Sequence, residues 1–397
     1  MTPLPFELHR PTWAEIDLDR LAANLGAVRA RLSGPGVMAV VKADAYGHGA
    51  LPVARRLERE AIEWLGVALV EEGVELRRGG VRAPILVLGG FAPAQAPLLL
   101  AENLTPTLFR LEQIEALERA AAARGANVDA HLKIDTGMGR LGMPIMGLPG
   151  LCDALARAPH VRLGGACSHL AAADDPADPY SAAQLQEFLR GVNLLRGRGH
   201  APEHLHLANS AAIVDHRATG LTLVRPGLLL YGYNASPRTA LAVRPILALR
   251  THLIDLRELP EGASVGYGRA WKSPGLSTVA TLGIGYADGL PRAAGNRGEV
   301  LVRGRRAPIV GRVSMDMTTI AVSAIPDAAV GDVATVIGRD DGEAIGADAL
   351  ALAAGSIVWE VLARLGSRVP RLYGEGETRS LATRFAAPPS PDPGGAL

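Results

Sequence analysis

The chain reads as an α/β protein with two architectures in series, an N-terminal (β/α)8 TIM barrel over 1–234 and a C-terminal, mostly β domain over 235–385. Three observations carry that reading. Short runs of Val, Ile and Leu alternate with alanine- and leucine-rich segments whose apolar residues recur three and four apart, the period of a helix with one buried face. After about Asn234 this alternation stops, and short β-rich runs punctuated by Gly and Pro replace it. The polar residues best suited to chemistry fall just after the expected strands, on the barrel face where active sites form.

In chain order, strands are expected at 37–41, 64–68, 85–88, 104–108, 128–134, 161–168, 204–208 and 221–224, with helical spacing at 49–59, 111–123 and 184–198 among the segments between them. Strict strand–helix alternation over this length favours a closed barrel over an open doubly wound sheet. In the second part, strands are expected at 276–284, 300–302, 307–310 and 333–337, with a helical stretch at 346–365. The first residues are a candidate to pack on the β domain. The Pro- and Gly-rich segment 386–397 reads as a disordered tail.

Bulk properties exclude several classes. The 397 residues suit two domains, and 41 basic against 40 acidic side chains leave no excess to bind nucleic acid. No apolar run is long enough to span a bilayer, so no membrane partner is expected. Cys152 and Cys167 are the only cysteines, and their spacing suits neither a zinc site nor a secreted disulfide framework, so no metal is expected. The first ten residues lack the basic segment and apolar core of a signal peptide. A cytoplasmic location follows as the expectation.

The most informative string is Ala-Val-Val-Lys-Ala-Asp-Ala-Tyr-Gly-His-Gly at 39–49, which sets Lys42 where an apolar run ends and a glycine-flanked turn begins. A primary amine on a stiff strand at a barrel mouth is well placed to form a Schiff base with pyridoxal 5'-phosphate, and apolar surroundings lower its pKa so that it can attack. The plainer alternative is a surface lysine paired with Asp44. The full string resembles the cofactor-lysine signature of the alanine racemases. So do Leu-Lys-Ile-Asp-Thr-Gly-Met-Gly-Arg-Leu-Gly at 132–142, Ser-His-Leu at 168–170, His-Leu-Ala-Asn-Ser-Ala-Ala at 206–212 and Arg-Pro-Gly at 225–227. Downstream come Val-Gly-Tyr-Gly at 265–268, Ile-Gly-Tyr-Ala-Asp-Gly at 284–289 and Gly-Arg-Val-Ser-Met-Asp at 311–316. The resemblance runs from about Trp13 to Tyr373.

It implies a pyridoxal phosphate enzyme that interconverts L- and D-alanine, the D-isomer serving peptidoglycan synthesis or alanine catabolism, as a homodimer whose active sites each take the barrel of one subunit and the β domain of the other. Lys42 would carry the cofactor, and Tyr46, Ser210 and the backbone N–H groups of Gly227 and Leu228 would hold its phosphate. The start of a helical segment at Ser210 and the bare backbone at Gly227 suit an anion, although Ser210 reads equally well as a helix N-cap. Arg225 would face the ring nitrogen as a permanent donor, leaving that nitrogen unprotonated and the cofactor a weaker electron sink. His206 would support Arg225; alone, it reads as a core histidine.

Racemisation removes a proton on one face and returns one on the other, so Lys42 and Tyr267 are implied as two bases, with His169 as the partner of the phenol. Without its motif, Tyr267 reads as a strand aromatic on a turn. Arg140 and the Met315 N–H would bind the substrate carboxylate, with Tyr286 close by; a guanidinium can meet a carboxylate through two hydrogen bonds. The plainer role of Arg140 is a pair with Asp135. Lys133 matches a position that some members carry as a carbamylated lysine, and Asp174, Arg292 and Arg312 match a charged ring at the substrate entrance. Ser367, before Arg-Val-Pro-Arg at 368–371, stands where some members have tyrosine. The alternatives are a broad-specificity amino-acid racemase and a non-catalytic pyridoxal phosphate carrier; such carriers are single-domain barrels.

Overall fold

The computed structural model describes residues 10–215, 221–235 and 239–383. The segment 386–397 lies outside them. The chain divides into two compact units, one of residues 20–244 and the other of residues up to 19 together with those from 245 onward.

The first unit is a closed barrel of parallel strands: β1 (Gly36–Val40), β2 (Trp64–Val67), β3 (Ile85–Val87), β4 (Thr105–Leu108), β5 (Val128–Asp135), β6 (Val161–Cys167), β7 (His204–His206) and β8 (Leu223–Val224). Neighbours pair in order, and β8 closes on β1 through Leu223 opposite Gly36. Strands such as β1 and β3 read as continuous apolar runs because helices cover the outside and side chains fill the inside, whereas β4, β5 and β7 also carry Thr, Asp, His or Lys. Met38, Leu86 and Leu223 form one interior cluster with Trp64 and Leu88 against it. The helices Ala50–Arg59, Leu111–Arg124 and Tyr180–Gly197 coincide closely with the segments of helical spacing. The last strand is two residues long because Pro226, just beyond it, has no N–H to continue a ladder.

The second unit is built on one long strand, Leu247–Leu259, which the sequence reading passed over. Its first half pairs with Val333–Asp340 and with Thr12–Asp17, and its second half with Ser277–Leu282, the register slipping at Leu249/Arg250 and Leu253/Asp255. Arg371–Glu375 runs parallel to Thr12–Asp17 on its other side. The expected helical stretch at 346–365 is two helices, Ala347–Ala354 and Val358–Ala363, because Gly355 takes a left-handed conformation (φ 63°) that ends the first. Among the described residues no helix is long and apolar enough to cross a membrane.

Candidate active site

In the barrel unit, the structure gathers the expected residues at the C-terminal ends of the strands. Lys42 lies two residues beyond β1, Lys133 and Asp135 are among the last three residues of β5, His169 lies two residues beyond β6, and Arg225 directly follows β8. Lys42 opens an unusual segment. Ala43, Asp44, Ala45 and Tyr46 have φ of 53°, 54°, 52° and 54°, a single left-handed helical turn built without glycine. Ala45 N–H donates to Val41 O (2.9 Å) and Gly47 N–H to Ala43 O (3.0 Å), closing the turn. Two carboxylates brace it. Glu72 accepts from Ala43 N–H (2.6 Å) as well as from Ala68 N–H (2.7 Å), and Asp44 accepts from Ala50 N–H (2.7 Å) at the start of the next helix. Glu72 was missed in the sequence; its signal is an acid three residues past Leu69, the position that reaches back to a helix's first N–H groups.

Half-buried Lys42 has its pKa lowered, first by loss of water and then by the positive field of Arg140, with Glu72 working the other way. Lys133 is lowered chiefly by burial too, Arg225, Arg140 and Lys42 adding to the effect. At the mouth, neighbouring arginines therefore add to the burial that disfavours charge on the two lysines. Asp135 does not neutralise Arg140: its carboxylate accepts from Gly137 N–H (3.0 Å) and Gly139 N–H (3.2 Å), shaping the loop, and among the described residues exposed Arg140 has no ion pair.

Arg225 is buried and held on all sides. Its NH1 donates to His206 O and to His206 Nδ1, both at 2.7 Å. Its NH2 donates to Ser168 O (2.7 Å), Leu207 O (3.2 Å) and His169 Nδ1 (3.3 Å). These contacts leave Nε–H as the donor that can be turned to a bound molecule. Because guanidinium can only donate, the Nδ1 atoms of both histidines must accept, so each neutral ring carries its proton on Nε2. Burial, with Arg225 next, pushes the His169 pKa down to about 3 and that of His206 well below the usual imidazole range. His169 is further fixed through Gln184, whose Nε2 donates to His169 O (3.0 Å).

Tyr46, Ser210 and Gly227 also come together. Ser210 Oγ accepts from Gly227 N–H (2.9 Å), and a Cβ added at Gly227 would stand 2.5 Å from the Tyr46 hydroxyl. The helix cap is Asn209, whose Oδ1 accepts from Ala212 N–H (3.1 Å), so the N-cap alternative for Ser210 gives way to a link with the Gly227 loop. Buried Leu228 follows in the same loop. Tyr46 packs on Tyr231 with ring centroids 4.8 Å apart, and burial pushes its pKa up to about 12, keeping a proton to donate. Tyr231 in turn donates to Val40 O (2.9 Å), tying this loop to β1. Asp174 is exposed beyond β6.

The second unit carries the remaining candidates on glycine-built loops. Tyr267 sits between Gly266 (φ 68°) and Gly268 (φ 72°) and is 73% exposed within its own chain, too open for the packed strand aromatic of the plainer reading. A Cβ at Gly268 would be 3.1 Å from the Arg312 guanidinium carbon, which places Arg312 beside this turn. Arg292 is exposed nearby in sequence to the Gly295 loop that packs on Arg312. Tyr286 and Met315 are paired through the backbone: Tyr286 N–H donates to Ser314 O and Ala287 N–H to Met315 O, both at 3.0 Å. Asp288 anchors them. Burial works to raise its pKa, but Arg10 (2.8 Å), Arg368 (2.7 Å) and Gly285 N–H (3.0 Å) win and hold it below the usual carboxylate range. Ser367 is exposed next to Arg368. Among the described residues no cluster of His, Cys, Asp or Glu could hold a metal ion.

A strand-end lysine over a buried arginine–histidine network is the layout of a barrel enzyme, and comparison with known proteins makes that enzyme an isomerase. Residues 16–235 match the model of the alanine racemase N-terminal domain, and residues 246–373 that of the alanine racemase C-terminal domain. The chain belongs to the alanine racemase family. It is 43% identical over 371 residues to the alanine racemase of Symbiobacterium thermophilum, covering 93% of this chain and 98% of that one. The alanine racemase of Halothermothrix orenii is 42% identical, with 92% and 97% covered. Among solved structures, the alanine racemase of Bacillus anthracis with bound L-Ala-P superposes with a TM-score of 0.89 at 32% identity, covering 95% of this chain and 99% of that one.

Proposed function

We propose that this protein interconverts L- and D-alanine with pyridoxal 5'-phosphate as its cofactor and Lys42 and Tyr267 as its two bases. The observation that carries the reading is the buried Arg225 between two neutral histidines at the mouth that also holds Lys42. The relatives named above are alanine racemases along nearly their whole length.

The residues fit such a cofactor. The cations of the mouth suit a phosphate and a substrate carboxylate, and the bare backbone of Gly227 under the Tyr46 hydroxyl is a cradle that a Cβ would fill. Tyr46, Ser210 and the Gly227–Leu228 backbone would hold the phosphate, and Arg225 would turn its Nε–H to the ring nitrogen. When bound, the cofactor stabilises negative charge at the substrate's Cα as the proton leaves.

The rest belongs to the protein. Burial lowers the Lys42 pKa and so favours the free amine, which would take a proton from Cα on one face. The partner subunit's Tyr267 would serve the other face, and His169, its Nδ1 engaged by Arg225, presents Nε2–H as a donor that favours the phenolate. In this homodimer the exposed phenol is covered by the partner's barrel. Arg140 and Met315 N–H would bind the carboxylate, Tyr286 lining the same region, and Asp174, Arg292 and Arg312 would ring the entrance. A carbamate on Lys133, formed from its free amine and CO2 with loss of a proton, would supply the anion that Asp135 does not give to Arg140. The reaction would take place in the cytoplasm.

The test is incubation of purified protein, supplied with pyridoxal phosphate, with L-alanine in deuterated water. Alpha-deuterated D-alanine is the expected product. D-serine or D-lysine formed from their L-isomers as efficiently would replace this reading with a broad racemase, and cofactor binding with no exchange at Cα would replace it with a carrier.

A further inference from the structure

Behind Arg225 lies a histidine that the racemisation chemistry above does not use. His131, on β5, is fully buried, and its Nδ1 is 2.8 Å from His206 Nε2. Its ring packs in one cluster with those of Trp64 (centroids 5.1 Å apart) and half-buried His204 (5.7 Å), which also touch each other (5.2 Å). The barrel makes room for it: Gly165 faces His131 across the β5–β6 ladder, and a Cβ there would come within 2.6 Å of the imidazole. Gly165 has no left-handed backbone to justify it, so the bare position serves the ring.

Hydrogen-bond direction then runs one way. Arg225 NH1 can only donate, so His206 Nδ1 accepts and His206 Nε2 bears the proton. That proton needs an acceptor, and the atom facing it is His131 Nδ1. With His131 absent, His206 would either bury an unsatisfied N–H, costing the desolvation of that group, or move its proton to Nδ1 and oppose the guanidinium donor for donor.

We propose that His131 is a positioning residue for the reaction, accepting from His206 Nε2–H and so locking His206 in the tautomer that receives Arg225. Its part in turnover rests on the function proposed above; the tautomer chain itself does not.

Side-chain 1H–15N correlation spectra of the 15N-histidine-labelled apoprotein read the chain directly. The expected result is a proton on Nε2 and none on Nδ1 for both His206 and His131, and a proton on His206 Nδ1 would overturn the proposal. His131→Phe keeps a ring but no acceptor. It should lower kcat and pyridoxal phosphate affinity by roughly 10- to 100-fold, the scale for partners that orient a site group, with KM for alanine little changed. His131→Gln, whose amide oxygen can accept, should recover most of the loss. Gly165→Ala, which displaces the ring without removing it, should move the His206 resonances as His131→Phe does. A folded His131→Phe protein with parental kcat and cofactor affinity would sink the idea. If His131→Phe does not fold, the parental spectrum and Gly165→Ala still decide. A parental protein that fails to racemise alanine would defeat the proposed function and leave the tautomer result standing.

Discussion

The two proposed bases are held in opposite ways. Lys42 is half-buried at the end of a barrel strand, beside a polar network in which Arg225 alone makes five contacts to two histidines and three carbonyls. Tyr267 stands on a turn between two left-handed glycines, 73% exposed within its chain. The network beside the first is held by contacts within its own chain. The second is a displayed side chain that its own chain leaves open, and the proposed shared site predicts that damage to one base is complemented only by a second chain.

Lys42→Ala should give the largest effect, abolishing turnover even with excess pyridoxal phosphate, because cofactor anchor and base are lost together. Measurable racemisation of alanine by this variant would remove Lys42 from the chemistry. Tyr267→Phe should lose on the order of 10²- to 10⁴-fold in kcat while still binding cofactor, the usual worth of one positioned proton-transfer group. Mixing the two variants sharpens the comparison. Random subunit exchange makes roughly half the dimers mixed, each with one intact site, so on the order of a quarter of parental activity should return. Heterodimers verified by differential tagging that stay inactive would show that both bases come from one chain.

Acid should separate the regions next. Burial pushes the pKa of His131 from 6.5 to about 3, so the folded barrel keeps this ring neutral while the unfolded chain takes a proton. A depressed folded pKa means that stability falls as pH drops between about 6.5 and 3, by about 1.4 kcal/mol per pH unit for this one group. Urea titrations at pH 7 and pH 5 should show that decline together with the like contributions of His169 and His206, and His131→Phe should make it shallower by the share of one group. An equal slope in the variant would mean that His131 is not buried neutral. The smallest effect is expected from Gly227→Ala. The added Cβ must displace the Tyr46 hydroxyl, which Tyr231 packs in place, so pyridoxal phosphate affinity should drop roughly tenfold with the fold intact, at the lower end of what a misplaced site group costs. Unchanged affinity by fluorescence titration would release Gly227 from the phosphate cradle.

The sequence made the barrel legible because strands such as Gly36–Val40 and Ile85–Val87 are apolar runs and each major helix keeps a helical period. Leu247–Leu259 escaped because its outward residues, such as Arg250, Asp255 and Arg257, break up the apolar signal, and because its ladder slips register twice. In the candidate site, strand-end residues such as Lys42, His169 and Arg225 could be read from motifs. What lies behind them could not. Glu72 reaches Ala43 from 29 positions away and His131 reaches His206 from 75, and no local pattern encodes such a meeting. Nor does anything in Ala-Asp-Ala-Tyr announce a left-handed turn, since propensity argues against one without glycine.

That turn behaves as a spring where most catalytic loops have a hinge. Each of its residues sits in a conformation that costs an L-amino acid roughly 1–2 kcal/mol, so the four together load the barrel by on the order of 4–8 kcal/mol, against a typical folding margin of about 5–15. Elsewhere in a helix, replacing alanine by glycine weakens a protein. At exposed Ala43 the sign should reverse, and a screen for heat resistance should return Ala43→Gly as a gain. Such a variant would relax the segment that begins at Lys42, and the expected outcome is a higher melting temperature with a slower enzyme.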